Sequence, residues 1–235
     1  TYTYQWYKDG VLQSDLNTNT VGAAETAKGQ VWKCVVTPTN GSSASDQVTI
    51  GNTAPTAPVV DVTPDSPTTA ADLVCNITIQ STDADGDTVT YTYQWYKDGV
   101  LQSDLNTSTV GAAKTAKGQV WKCVVTPNDG TTSGPSAEDQ VTIQNSAPTA
   151  PVVAITPDSP STTDDLVCSI TTPSTDADGD TVTYTYQWYK DGALQSDLTT
   201  NKVGAAETAK GQVWKCVVTP NDGTTSGPSA EDQVT

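Results

Sequence analysis

The sequence predicts an all-β fold built as a tandem array, and three observations carry that reading. The decapeptide Thr-Tyr-Thr-Tyr-Gln-Trp-Tyr-Lys-Asp-Gly opens the chain at Thr1 and recurs unchanged from Thr90 to Gly99 and from Thr183 to Gly192, so one unit has been copied along the polypeptide. Segments dense in β-branched and aromatic residues, such as Val89 to Lys97 and Gln119 to Thr126, are bounded by Gly, Asn, Asp or Pro clusters at the intervals of short sandwich strands, while no stretch places apolar residues at helical spacing. Cysteine and tryptophan hold a fixed spacing: Cys75 and Cys123 lie 48 residues apart with Trp95 20 residues after the first, and Cys168, Trp188 and Cys216 repeat those intervals.

The copies are offset by 89 residues from Thr1 to Thr90 and by 93 from Thr90 to Thr183. The difference is confined to one stretch, Thr37 to Gln47 in the first copy against Thr126 to Gln140 in the second, which marks a surface loop between two strands. A period of about 90 residues is too long for a solenoid repeat and suits an independent small domain. Three units follow: residues 1–51, 52–144 and 145–235.

Within the second unit, Leu73-Val74-Cys75 reads as an early strand, Gln94 to Lys97 as a central strand closed by an Asp98-Gly99 turn, and Val120 to Cys123 as a later strand. Gly111 to Gly118 has helix-like composition but is too short to be stable as a helix, so it is expected to connect two strands. The segments from Asn52 to Pro58 and from Asn145 to Pro151 have the proline spacing of semi-extended connectors, which predicts units strung out and not collapsed together.

The Cys-Trp-Cys spacing and the Trp-Tyr-Lys-Asp-Gly run resemble the immunoglobulin-like sandwich, with Leu73–Cys75 as strand B, Gln94–Lys97 as strand C and Val120–Cys123 as strand F. That resemblance implies a buried inter-sheet disulfide joining Cys75 to Cys123 and Cys168 to Cys216, with the strand C Trp packed against it, and hence an oxidising compartment. The chain departs from the family two residues before the second Cys, where Trp32, Trp121 and Trp214 replace the usual Tyr. A period of two puts that Trp on the same inward face as the Cys and removes the hydroxyl of the tyrosine corner.

In the first copy Cys34 follows Trp6 by 28 residues, yet no Cys precedes it, so Cys34 is unpaired within these residues. Residues 1–51 read as strands C to G of a unit whose A and B strands lie upstream, and the chain is expected to be an excerpt of a longer array. Completion by strands from another chain is the alternative.

The net charge is −16, from 27 acidic and 11 basic residues, all of the latter Lys, which argues against nucleic acid and acidic membrane surfaces as partners. No apolar run is long enough to span a membrane. The absence of His removes every Ser-His-Asp or Cys-His arrangement, and no phosphate-cradling Gly-rich loop is present, so no catalytic role is expected. Sequons begin at Asn40, Asn76 and Asn106.

The acidic residues concentrate in Asp83-Ala84-Asp85-Gly86-Asp87 and its copy Asp176-Ala177-Asp178-Gly179-Asp180. Oxygen ligands this dense suit Ca²⁺. Gly at the fourth place and Gln94 or Gln187 at the twelfth rule out an EF-hand loop; the segment looks like the Asp-x-Asp-Gly-Asp of the cadherin-like or PKD-like repeats in prokaryotic surface proteins. In the sandwich this resemblance implies, the BC and FG loops share the end at which the chain enters, so Asp129 and Asp222 of the FG loops are expected to join these clusters beside the linker. The alternative is a solvated acidic turn.

Two functions are carried forward. One is an extracellular structural segment, a stalk, sheath or filament on the cell surface, whose partners are copies of the same chain or other surface proteins. The other is an adhesin module that recognises glycan or protein through residues such as Gln94, Tyr96 or the loop from Asn128 to Ser136.

Overall fold

The computed structural model describes residues 1–235, and its regular elements are strands apart from three single-turn 3-10 segments at Ala23–Glu25, Ala112–Lys114 and Ala205–Glu207. The first unit holds β1 (Tyr2–Lys8), β2 (Val11–Gln13), β3 (Val31–Pro38) and β4 (Ala44–Thr49). The second holds β5 (Val59–Thr63), β6 (Leu73–Ile79), β7 (Thr90–Lys97), β8 (Val100–Gln102), β9 (Thr109–Val110), β10 (Val120–Asn128) and β11 (Ala137–Thr142). The third repeats it as β12 (Val152–Thr156), β13 (Leu166–Thr172), β14 (Thr183–Lys190), β15 (Ala193–Gln195), β16 (Lys202–Val203), β17 (Trp214–Asn221) and β18 (Ala230–Val234). No helix is long and apolar enough to cross a membrane.

In the second unit one sheet runs β11-β10-β7-β8 and the other β5-β6-β9, all pairs antiparallel, and the third unit has the same two sheets. This is the all-β, immunoglobulin-like sandwich in its form with three strands facing four, the short β8 pairing beside β7. The first unit contributes one sheet, β2-β1-β3-β4.

The two-residue turn between β7 and β8 explains why the decapeptide ends in Asp-Gly. Asp98 and Gly99 both take positive φ, 49° and 80°, which Gly adopts freely and Asp tolerates. The Asp98 carboxylate also accepts the Val120 N–H at 2.9 Å, fastening the turn to the start of β10. Gly111 to Gly118 is the expected connector, carrying one 3-10 turn between β9 and β10.

Burial in β10 alternates residue by residue, with Trp121, Cys123 and Val125 inward. Trp121 therefore lies in the core, as its spacing from Cys123 required, and meets Trp95 edge to face at 6.4 Å between ring centroids. The hydrogen bond lost with the tyrosine corner has a replacement: the Trp121 indole N–H donates to the Gln119 side-chain oxygen at 3.1 Å, and that oxygen also accepts the Ala116 N–H at 2.9 Å. The same device recurs at Gln212 with Trp214 and at Gln30 with Trp32.

Each complete unit has one core, built in the second from Val62, Leu73, Val110, Val125, Val141 and Ile143 around the two Trp rings. Cys75 and Cys123 meet in it, as do Cys168 and Cys216 in the third unit, with the paired sulfurs 2.6–2.8 Å apart. All five cysteines, Cys34 included, are thiols in this structure, so the resemblance's bonded pairs are brought face to face but unjoined.

Candidate metal centre

The linker, the loop between β6 and β7 and the loop between β10 and β11 meet at the end where the chain enters each complete unit. Asp83 organises the first loop: one carboxylate oxygen accepts the N–H groups of Asp85 and Asp87 at 2.9 and 3.2 Å, and Gly86 supplies the positive φ of 79° that lets the chain curl around it. The ligand atoms of Asp83, Asp85 and Asp87 consequently lie within 4.8 Å of one another, as do those of Asp176, Asp178 and Asp180 in the third unit. The other oxygen of Asp83 is buried without a hydrogen-bond partner, and so are the corresponding oxygen of Asp176 and the side-chain oxygen of Asn52. Buried oxygens are normally paired. These oxygens and the clustered carboxylates could serve a hard cation as ligands.

Asp129 and Asp222 stand apart from the acidic triplets they were expected to join. They lie outside the two carboxylate groups, and each spends both oxygens on protein donors. In Asp129 one oxygen accepts the N–H groups of Thr131 and Thr132 at 2.7 Å, and the other accepts the Asn52 side-chain amide at 2.7 Å. Asp222 does the same with Thr224, Thr225 and Asn145. The Asn52 amide, and then the backbone donors, hold the Asp129 carboxyl down at about 2, and Asn145 lowers Asp222 in the same way. These two residues are linker tethers.

The sign of the resulting pH dependence is fixed. A carboxyl whose folded value lies below its ordinary one contributes stability that is complete above about pH 4 and is lost as pH falls toward 2. The melting difference between the unaltered chain and Asp129→Asn should therefore be constant from neutral pH to about 4 and shrink below it. Thermal scans across that range check this.

Further contacts complete the seating of the linker. Asp85 accepts the Thr53 N–H at 2.6 Å, and Asp178 accepts the Ser146 N–H at 2.7 Å. Gly134 packs so closely on the linker that a Cβ there would stand 2.1 Å from the Pro55 carbonyl oxygen, and one at Gly227 would stand 2.0 Å from that of Pro148. Gly134 belongs to Ser133–Ser136, the four residues by which the second copy exceeds the first. That insertion is the part of the loop that clasps the incoming chain.

Two lysines reach across the junctions. Lys28 of the first unit pairs with Asp87 of the second at 2.6 Å, and Lys117 of the second pairs with Asp180 of the third. Thr69 of the second unit adds a hydroxyl donated to Asp178. Sequence reasoning missed these groups, although one signal was present: Ala-Lys-Gly-Gln recurs at Lys28, Lys117 and Lys210 in a chain poor in basic residues.

The outward aromatic of β7 is locally packed. The Lys122 ammonium lies 5.3 Å from the Tyr96 ring centroid and also pairs with Glu138, an arrangement repeated by Lys215, Tyr189 and Glu231.

No protein-family model matches the chain, and no curated protein matches it. Among solved structures, the FN1–FN3 domains of chicken CNTN1 align over 99% of this chain and 90% of that one, at 12% identity and a TM-score of 0.36. The sandwich assignment rests on the strand order of each unit.

Proposed function

We propose that the chain is a segment of an extracellular structural array, a stalk, sheath or filament of a prokaryotic cell surface, whose units supply length and whose junctions fix direction. The observation that carries this reading is the repetition of one junction: Asn to Asp, linker N–H to Asp and Lys to Asp recur with the same partners between the first and second units and between the second and third. A binding module needs one good surface. An array needs each joint to be built like the last. The role is mechanical and not catalytic, and its partners are neighbouring copies or other surface proteins. An adhesin would want its aromatic face free, whereas Tyr96 is covered by its own lysine.

Two chemical reinforcements belong to this proposal. Cys75 with Cys123, and Cys168 with Cys216, form disulfides once the chain is in an oxidising compartment. Ca²⁺ binds at each junction, held by Asp83, Asp85, Asp87 and the Asn52 side-chain oxygen in one and by Asp176, Asp178, Asp180 and Asn145 in the other. The unpaired buried oxygens of Asp83, Asp176 and Asn52 support that fit. The ion would neutralise the clustered carboxylates and tie linker to loop.

Thermal unfolding of the chain with Ca²⁺ and with a chelator tests the metal part. The expected result is a melting temperature that rises with Ca²⁺ concentration, by the amount mass action sets for a ligand of the native state. Identical melting in both buffers, with no ion retained after dialysis, would remove the metal and leave the acidic clusters as turns.

A further inference from the structure

We infer that Lys28 and Lys117 are tethered counter-cations which a metal ion must displace to occupy the junction clusters, so that each unit governs the metal response of the unit after it. This rests on the calcium reading above and adds what regulates the same site.

The geometry is repeated and specific. Lys28 sits on the short connector ahead of β3 and Lys117 at the equivalent place ahead of β10, so each is carried by one unit and directed at the next. The Lys28 ammonium lies 2.6 Å from a carboxylate oxygen of Asp87, the third member of the first cluster. A divalent ion among Asp83, Asp85 and Asp87 would face that charge across a few ångströms, and like charges at such range repel.

The two junctions differ in how firmly they are already held. At the first, the ammonium engages Asp87, while the Asn52 side-chain oxygen is buried and unpaired. At the second, the Lys117 ammonium engages both Asp180 and the Asn145 side-chain oxygen, the latter at 2.9 Å, and the Thr69 hydroxyl occupies an oxygen of Asp178. More ligand oxygens must be released at the second junction than at the first. The first junction therefore fills at lower metal concentration. Lys210, the third copy of this lysine, makes no ion pair and serves as a control within the chain.

Calorimetric titration of CaCl₂ into the 235-residue chain and into Lys28→Met, Lys117→Met and Lys210→Met tests this. Lys117→Met should tighten binding at the second junction by about three- to tenfold, the loss of one partly screened positive neighbour. Lys28→Met should tighten the first junction, and Lys210→Met should change nothing. Tightening is the informative sign, because a lysine that merely braced the joint would weaken binding when removed. Binding by the lysine variants alone also supports the inference. If the unaltered chain binds Ca²⁺ and the Lys28 and Lys117 variants bind equally or more weakly, the inference is overturned and the metal reading survives. If neither the chain nor any variant binds, both fall.

Discussion

Trp95→Ala should unfold the second unit selectively, as Trp188→Ala should unfold the third. Trp95 is fully enclosed between the two sheets, edge-on to Trp121 and against the paired cysteines, and its indole N–H donates to the Thr107 carbonyl at 2.9 Å. Removing a buried Trp costs about 3–5 kcal/mol through lost transfer energy and the cavity left behind. That is a large share of the roughly 5–15 kcal/mol that holds a small domain together. Trp188 stands in the same enclosure, edge-on to Trp214, with its indole N–H donating to the Thr200 carbonyl at 2.9 Å. Calorimetry of the two variants should show a different transition displaced far down in each. Small shifts in both would mean that the rings are not enclosed as described.

Oxidation of the paired cysteines should raise the stability of each complete unit by about 4 kcal/mol, the chain-entropy value for closing a loop of this length. Cys75 and Cys123 are separated by 48 residues and meet in the core already aligned by the ladder that places Cys123 opposite Trp95 and the one that places Cys75 opposite Val62. After refolding in air, thiol titration of the unfolded chain should find Cys34 alone reactive, and addition of reductant should lower the melting of the second and third units together. Five reactive thiols and melting indifferent to reductant would contradict the disulfide proposal.

The residues that announced the fold are those whose chemistry is local or periodic. The decapeptide carries both the strand C Trp and the Asp-Gly turn, and the two-residue step from Trp121 to Cys123 decides which face each takes. Those relations survive without knowledge of tertiary structure. The acidic triplet was legible for the same reason, since its three carboxylates converge through an Asx turn within five residues. That Asp129 fastens the linker was not legible, because its partner, Asn52, lies 77 residues away. The lysines were invisible for a related reason. Lys28 and Asp87 are 59 residues apart and belong to different units, so nothing local in either neighbourhood speaks of the other. The four-residue insertion was recognised as a loop, but that Gly134 had to be Gly follows only from the Pro55 carbonyl against it.

The central claim is that repeated junctions hold the units in one extended arrangement, and small-angle X-ray scattering of the 235-residue chain in Ca²⁺ tests it most directly. The account predicts a single, long maximum dimension that is preserved on dilution and shortens or broadens in the variant Asn145→Ala/Asp178→Ala, in which the third unit loses its linker tether and a cluster carboxylate. A profile already broad in the unaltered chain, and unchanged in that variant, would show that the joints are loose and that direction along the array is not set by these contacts.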